Sequence, residues 1–244
     1  MTGASGEGFS IDAGRVVAEL KATGAQAVLL ANPQSPSGRL MRAEKLGRLH
    51  KVAFALGVTT IVDEAFIDYV PGESLSQTAA KSHGLVVLRS LTKLFAMPGL
   101  RVAYAVAHPE MRSAMEACVP AWPVDSIAAE AARLALQDQA SIAATREINA
   151  RERGWLADRL QSLGLRVFPS AANYLLVKTD EDRNGLDLWR RLIVKHRVVI
   201  RSCANFEGLD EHYFRIGVRT RFENQLLVEA MTQALHCTRQ GRSR

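Results

Sequence analysis

Short apolar runs alternate with segments of helical periodicity in the first part of the chain, and this alternation limits the possible folds more than any other feature. Three runs have the composition of buried strands: 26–31 (QAVLLA), 58–62 (VTTIV) and 85–88 (LVVL). Segments with helical spacing precede them: 12–22, which Asp12 can cap, 46–56, and a weaker one near 74–82. The β-α-β-α-β order within this series predicts an α/β fold with a mostly parallel sheet and right-handed crossovers.

A fourth apolar run, 102–107, follows the third after a short connection. Pro98 and Gly99 interrupt that connection. A crossover to another parallel strand needs a dozen or more residues, usually with a helix. We therefore expect the fourth strand to return antiparallel to the third.

The order of elements changes in the second part of the chain. Helical patterns cover three consecutive segments: 109–118, 125–137 and 139–163. Strands and helices then mix, with strands at 172–178, 197–201 and 213–218 and helices at 184–196 and 222–236. The sequence thus predicts three parts: a partial large domain over 1–138, a connecting helix over 139–163 and a smaller α+β domain over 164–244.

Composition excludes several classes of protein. Hydrophobic residues make up 48% and charged residues 23% of the 244 residues, which argues against disorder and fibrous repeats. The net charge of +6 permits an anionic ligand, but basic residues are not clustered among aromatics as in a nucleic-acid module. Three widely spaced cysteines fit a reducing cytoplasm, and no apolar stretch is long enough for a membrane span. We expect a cytoplasmic protein that binds neither nucleic acid nor membranes.

Polar residues stand where the predicted strands end. Asn32 follows the first strand, Asp63 and Glu64 follow the second, and Ser90 ends the third, with Lys93 three residues further on. The carboxyl ends of parallel strands share one edge, where ligands of open α/β sheets bind. The start of an antiparallel fourth strand lies on that same edge. Polar residues are also common at strand ends without any ligand, so each residue alone is weak evidence.

The set as a whole suits pyridoxal 5′-phosphate. That cofactor needs a lysine for a Schiff base and an acidic partner for its ring nitrogen. Its phosphate needs hydroxyl and guanidinium donors. The candidate residues supply each of these: Asp63, Lys93, Ser90, Thr92 and Arg101.

Three motifs resemble fold-type-I pyridoxal-phosphate enzymes of the class I/II aminotransferase group. They are NPQSPSG at 32–38, VDEAFIDY at 62–69 and RSLTKLFAMPGLRVAY at 89–104. The resemblance implies catalytic roles for Lys93, which binds the cofactor covalently, and Asp63, which holds the pyridinium nitrogen. It also implies that Asn32 contacts the phenolic oxygen and that the phosphate is bound by three residues: Ser90, Thr92 and Arg101.

The resemblance places substrate binding in the second part of the chain. Arg215, in YFRIGVR, matches the family arginine that grips the substrate carboxylate. Arg219 is expected on the same face because four residues is an even spacing along a strand. The six histidines show no metal-ligand spacing, and we predict no metal site.

Within the group the sequence is most similar to threonine-phosphate decarboxylases of cobalamin biosynthesis. Histidinol-phosphate aminotransferases are the second most similar. Phe66 stands where the aminotransferases usually have tyrosine, and the segment 200–224 is also decarboxylase-like. The implied activity is that of a lyase that decarboxylates L-threonine O-3-phosphate to aminopropanol phosphate. The alternatives are an aminotransferase acting on histidinol phosphate and an inactive remnant of the fold.

Members of the group usually carry about a hundred more residues before the NP turn. The resemblance therefore implies that this chain is N-terminally truncated, and it implies a homodimer acting on a small phosphorylated amino acid. A nucleotide hydrolase using Asp63 and Glu64 for a metal is a weaker alternative, because no GxxxxGK[ST] phosphate loop is present.

Overall fold

The computed structural model describes residues 8–182 and 184–240. The chain forms two compact units. The N-terminal unit consists of Ile11–Ser35 and Leu40–Arg146, and the C-terminal unit of the described residues within Met1–Ser10, Pro36–Arg39 and Glu147–Arg244. The division falls inside one long helix, Gln139–Ser162, which matches the helix predicted over 139–163. The predicted domain boundaries stay a prediction.

The N-terminal unit alternates helices and strands. Its helices are α1 (Ala13–Thr23), α2 (Ala43–Ala55), α3 (Ser76–Ala79), α4 (Pro109–Glu116), α5 (Ser126–Gln137) and the first part of α6 (Gln139–Ser162). Its strands are β1 (Ala27–Ala31), β2 (Thr59–Asp63), β3 (Leu85–Ser90) and β4 (Ala103–Ala107). Single turns of 3-10 helix form at Ile67–Tyr69 and Pro98–Leu100. Asp12 caps α1 by accepting a hydrogen bond from the Gly14 amide at 2.8 Å, as predicted.

The four strands form one sheet in the order β1-β2-β3-β4. The first three are parallel, and β4 returns antiparallel to β3 with Ser90 opposite Ala103 and Val86 opposite Ala107. The mostly parallel sheet and its antiparallel return are both confirmed. The short connection after β3 holds only the Pro98–Leu100 turn of helix, which is too little for a parallel crossover.

The core of this unit lies between the sheet and helices α1 and α2. Buried side chains from both layers include Val62, Leu85 and Leu46. The expectation that 26–31 forms a fully buried strand is wrong. Within β1 only Leu30 is buried, and Leu29 is 66% exposed. The reason is position, because β1 is an edge strand of the described sheet and one of its faces is uncovered.

The C-terminal unit is a smaller α+β arrangement, as predicted. It contains the rest of α6, strands β5 (Arg166–Val167), β6 (Tyr174–Lys178), β7 (Arg201–Ser202) and β8 (Tyr213–Gly217), and helices α7 (Gly185–His196) and α8 (Arg221–Gln240). The strands pair antiparallel in the order β5-β6-β8-β7. Side chains such as Leu192, Phe214 and Met231 fill a core beneath this sheet. The two-residue strand β5 is not predicted from the sequence. Among the described residues, no helix combines the length and apolar character that crossing a bilayer requires.

Candidate active site

The carboxyl ends of β1, β2 and β3 bring three predicted site residues to one edge of the sheet. Asn32 follows β1, Asp63 is the last residue of β2 and Ser90 is the last residue of β3. The backbone amide of Asn32 donates a hydrogen bond to the carbonyl of Asp63 at 2.9 Å, which continues the ladder one step past the strand. Parallel pairing therefore fixes the relative positions of these residues.

Asn32 is buried, and its side chain is anchored by the backbone of Met41. Its Oδ1 accepts a hydrogen bond from the Met41 amide at 2.7 Å, and its Nδ2 donates to the Met41 carbonyl at 2.9 Å. A primary amide nitrogen carries two hydrogens. One N–H of Asn32 is therefore used to fix the side chain, and the second can donate to a ligand.

Asp63 and Glu64 are adjacent in sequence but lie in different environments. Asp63 is half-buried, and its Oδ1 accepts a hydrogen bond from the Ala65 amide at 2.9 Å. Glu64 is fully buried, and it accepts hydrogen bonds from the Ser74 hydroxyl at 2.5 Å and the Leu75 amide at 2.7 Å. Both oxygens of Glu64 are thus occupied by donors from the chain, which does not favour a metal site shared with Asp63.

Glu64 belongs to a cluster of charges that sequence reasoning did not identify. Arg89 forms an ion pair with Asp68, lies 3.7 Å from Glu64, and donates to the Ser74 hydroxyl at 3.1 Å. We call Glu64, Asp68 and Arg89 the buried network. Burial raises the pKa of the Glu64 carboxyl, against the opposing hydrogen bonds and the charge of Arg89. The network connects the segment after β2, which contains Phe66, to β3.

Ser90 and Thr92 form a pair of hydroxyls directly before Lys93. Their oxygens are 2.8 Å apart, and the Thr92 amide also donates to the Ser90 hydroxyl at 3.3 Å. Thr92 is buried, whereas Lys93 is exposed. The turn therefore presents two hydroxyl groups and one primary amine at the end of β3.

The ammonium group of Lys93 lies over the ring of Phe66, with Nζ 5.7 Å from the ring centroid. This cation–π contact connects the turn after β3 to the segment after β2. The amine of Lys93 therefore lies at the same edge of the sheet as Asp63. Phenylalanine offers no hydrogen bond there, so the amine keeps its donors for other partners.

Arg101 lies across from Thr92 because the antiparallel register of β3 and β4 extends to the residues just before β4. Ser90 pairs with Ala103, and the Leu91 amide donates to the Val102 carbonyl at 3.3 Å. Arg101 is exposed and adopts a left-handed backbone conformation (φ 50°, ψ 41°). Such a conformation is uncommon for a residue with a side chain and is concentrated at functional sites.

Three charged groups at this edge have no ionic partner among the described residues: Asp63, Lys93 and Arg101. We call them the edge charges. Arg101 donates to the Pro98 carbonyl at 3.2 Å, and Asp63 accepts from a backbone amide, but neither they nor Lys93 lie within ion-pair distance of an opposite charge. A carboxylate, an amine and a guanidinium beside two hydroxyls match the groups that pyridoxal 5′-phosphate requires. The residues present therefore fit this cofactor.

Arg215 lies in the C-terminal unit, in the middle of β8. It pairs with Leu176 on one side and Arg201 on the other. Its guanidinium carbon is 4.9 Å from the centroid of the Tyr174 ring. The half-buried guanidinium is thus packed against an aromatic face.

Arg219 does not continue the face of Arg215, so the even-spacing argument is wrong. The strand β8 ends at Gly217, and alternation of faces stops there. Arg219 is exposed at the start of α8 and forms an ion pair with Glu223 at 2.8 Å. The Thr220 hydroxyl, together with Arg219, lowers the pKa of Glu223 to about 2.

The chain is similar to the curated threonine-phosphate decarboxylase of Salmonella typhimurium, with 38% identity over 85% of this chain and 57% of that protein. It is 32% identical to the histidinol-phosphate aminotransferase of Moorella thermoacetica, over 85% of this chain and 53% of that protein. It therefore spans little more than half the length of these two relatives. The crystal structure of the histidinol-phosphate aminotransferase from Clostridium acetobutylicum superimposes with a TM-score of 0.88 at 29% identity, covering 95% of this chain and 70% of that one.

The sequence model of the aminotransferase class I and II family matches residues 2–231. That match covers nearly the whole chain, and the structural neighbour has the same type of fold. The chain belongs to the aminotransferase class I and II family, and this membership supports pyridoxal 5′-phosphate as its cofactor.

Proposed function

We propose that the protein is a lyase that uses pyridoxal 5′-phosphate to decarboxylate L-threonine O-3-phosphate, giving aminopropanol phosphate for cobalamin biosynthesis. The observation that carries the proposal is the set of edge charges, which lack ionic partners among the described residues and match the cofactor's needs. The reaction is chosen on similarity, because the relative from Salmonella typhimurium is named a threonine-phosphate decarboxylase.

In this proposal Lys93 is the residue that binds the cofactor covalently and later moves a proton. The residue is exposed, and its Nζ lies over the ring of Phe66, which does not compete for its hydrogen bonds. A lysine released when substrate binds can return a proton to the substrate α-carbon. Lys93 is therefore both the attachment point and the general acid.

Asp63 holds a proton on the cofactor's ring nitrogen. Its carboxylate is fixed by the Ala65 amide on one oxygen, which leaves the other oxygen for the ring. Bound pyridoxal 5′-phosphate supplies an electron-accepting ring for the electron pair left when a bond to the substrate α-carbon breaks. The negative charge of Asp63 makes that acceptor stronger, because it keeps the ring nitrogen positively charged.

Ser90, Thr92 and Arg101 bind the cofactor's phosphate, and Asn32 donates to its phenolic oxygen. The two hydroxyls are already 2.8 Å apart, and the register places Arg101 across from Thr92. Paired hydroxyl and guanidinium donors bind a dianion strongly. Since Phe66 has no hydroxyl, Asn32 is the amide donor for the phenolic oxygen in this proposal.

Substrate orientation decides whether carbon dioxide or a proton leaves the α-carbon, because only a bond perpendicular to the ring can break readily. Arg215 and Arg219 carry the positive charges that we assign to the substrate carboxylate and phosphate. Arg215 is held on Tyr174, and Arg219 is held by Glu223. Decarboxylation requires these charges to hold the bond to the carboxylate perpendicular to the ring.

The second candidate is an aminotransferase acting on histidinol phosphate. It is supported by the relative from Moorella thermoacetica and the structural neighbour from Clostridium acetobutylicum, both of which are named as such. In that reaction Lys93 moves a proton between carbons instead of replacing carbon dioxide.

One assay separates the two candidates. The protein, loaded with pyridoxal 5′-phosphate, is given L-threonine O-3-phosphate alone, and carbon dioxide and aminopropanol phosphate are measured. We expect both products in equal amounts, and none with Lys93→Ala. Turnover only with histidinol phosphate and an oxo-acid acceptor would establish the second candidate, and turnover with neither would identify an inactive remnant.

We also propose that the protein is a cytoplasmic homodimer, on the basis of its family. Light scattering on the purified chain tests the assembly. A particle of twice the 26.7 kDa chain mass is expected, and a monomer at all concentrations would contradict it.

A further inference from the structure

Three side chains that can bind metals lie together at the end of β3 and β4 opposite to the candidate active site. They are His83, His108 and Glu110, and one ligand atom from each lies within 4.8 Å of the other two. The two imidazole rings are 3.8 Å apart between centroids and inclined by 38°. Nδ1 of His83 is 3.7 Å from a carboxylate oxygen of Glu110.

Strand pairing explains why residues distant in sequence meet here. Val86 pairs with Ala107 at the last step of the antiparallel ladder. Continued one residue further, the same register places Leu85 opposite His108, and Glu110 follows two residues later in the first turn of α4. Spacing along the sequence gives no hint of this cluster, because its ligands come from two different connections.

The backbone around His83 is held in place on both sides. Gly84 adopts φ +70°, which residues with a side chain rarely adopt, and a Cβ at this position would lie 2.6 Å from the ring of Phe54. Its amide donates to the sulfur of Met111, in α4, at 3.1 Å. The connection before β3 is thus fixed against the helix that carries Glu110.

One polar atom of the cluster has no partner in the part of the chain that the structure describes. Nδ1 of His108 is buried, and no described residue forms a hydrogen bond with it. Leaving a buried polar atom unpaired costs free energy, and such atoms commonly bind water or an ion. This observation is independent of the spacing of the three side chains.

We propose that His83, His108 and Glu110 bind one divalent transition-metal ion of the zinc class. Two imidazoles and one carboxylate are a ligand set that zinc accepts, with a water completing four-coordination. Two ligand atoms about 2.1 Å from one tetrahedral ion are roughly 3.4 Å apart. Small rotations of the side chains bring the ligand atoms from within 4.8 Å to that separation. The side chains of His83 and Glu110 are 50% and 77% exposed, which gives the ion access and the side chains freedom to rotate.

This site is separate from the one assigned to the cofactor. The metal ligands lie at the end of β3 where the strand begins, at Leu85, whereas Ser90 is the last residue of the strand. A strand of this length spans roughly 20 Å. The proposal therefore does not depend on the proposed function, and Lys93→Ala is expected to leave metal binding unchanged.

Titration of the untagged, cofactor-free chain with Zn²⁺ by calorimetry, and with Co²⁺ by visible spectroscopy, tests the proposal. We expect one ion per chain, with tetrahedral cobalt bands. His83→Ala and Glu110→Gln change exposed side chains, and each is expected to weaken binding at least about tenfold, because loss of a mere outer-shell partner already costs about 10–100-fold. The matched control is His196→Ala, a histidine of α7 outside the cluster, which is expected to leave the affinity unchanged.

Two results would overturn the proposal. One is the absence of stoichiometric binding at roughly 100 µM Zn²⁺. The other is equal affinity in the wild type, His83→Ala and Glu110→Gln, because binding would then belong to other residues. Circular dichroism of each variant distinguishes lost ligands from lost folding.

Discussion

The edge charges and the buried network lie in the same unit, and they handle charge in opposite ways. Every member of the buried network has an opposite charge or several hydrogen-bond donors against it. No member of the edge charges has an ionic partner among the described residues. Asp63 and Glu64 show the contrast most directly, because they are consecutive in the chain.

The difference follows from the cost of burial. A charge that is removed from water must be paired, or it destabilises the fold by several kcal/mol. A charge at a half-exposed sheet edge carries little such cost, so it can be left unpaired until a ligand arrives. The comparison teaches that unpaired charges gathered at one sheet edge suit ligand binding, and that paired buried charges indicate structure.

The largest expected effect is that of Lys93→Ala on activity. Proton transfer by a positioned side chain contributes on the order of 10²–10⁴-fold to a rate, and Lys93 is also the proposed attachment point. We expect decarboxylation to fall by at least that factor while the free energy of unfolding changes by less than about 0.5 kcal/mol. Lys45→Ala, which changes an exposed lysine of α2, is the control, and equal activity losses in both variants would contradict the account.

The second effect is structural and comes from the buried network. Arg89→Leu leaves the buried carboxylate of Glu64 without its positive partner, which typically costs about 3–5 kcal/mol. Urea unfolding monitored by circular dichroism measures the loss. A change under about 1 kcal/mol would show that the network does not stabilise the unit in the way described.

Arg101→Ala sharpens the comparison from the other side. Hydrogen bonds to charged groups contribute about 1.5–3 kcal/mol, so we expect the affinity for pyridoxal 5′-phosphate to fall roughly 10- to 100-fold. Stability is expected to change little, because the side chain is exposed. Arg101→Lys keeps the charge and is expected to recover part of the affinity. If Arg101→Ala lost as much stability as Arg89→Leu, the distinction between the edge charges and the buried network would be contradicted.

The layout of the candidate site was predictable from sequence, and the partners of its charges were not. The ends of the β1, β2 and β3 strands, read from apolar periodicity, place Asn32, Asp63 and Ser90 together, since parallel pairing admits one arrangement. The buried network depends on side chains from several segments that sequence order leaves undefined. The single wrong burial prediction, at Leu29, arose because an apolar run does not show whether both faces of a strand are covered.

The same limits apply at Arg219 and at the histidine cluster. Strand alternation predicts a shared face for Arg215 and Arg219 only if the strand continues, and β8 ends two residues too early. His83 and His108 meet through the register of two strands. In both cases the deciding information is where a strand ends, which composition defines poorly.

The pH dependence of the free energy of unfolding distinguishes the buried carboxylate of Glu64 from that of its neighbour Asp63. Burial raises the pKa of Glu64, so its contribution to stability is fully present below the ordinary carboxyl pKa of about 4.3 and is lost as pH rises through the raised value. We expect the free energy of unfolding of Glu64→Gln, relative to wild type, to rise between pH 4 and neutrality. The same comparison with Asp63→Asn is the control, and an identical slope in both variants would contradict the assignment.

The smallest effect is expected at the exposed pair of Arg219 and Glu223. The pKa of Glu223 is lowered to about 2, so its contribution is present above about 4.3 and is lost as pH falls towards 2. Because the Glu223 side chain is 39% exposed, Glu223→Gln is expected to cost about 0.5 kcal/mol or less at neutral pH. Thermal melts at pH 7 and pH 2 measure the difference, which should vanish at the lower pH.

Covalent trapping tests the central claim most directly. The purified chain is incubated with pyridoxal 5′-phosphate, reduced with borohydride, digested and analysed by mass spectrometry. We predict a phosphopyridoxyl group on Lys93, with the label lost in Lys93→Ala and retained in Lys45→Ala. Label spread evenly over exposed lysines, or absent from Lys93, would show that the unpaired charges at the sheet edge do not form a cofactor site.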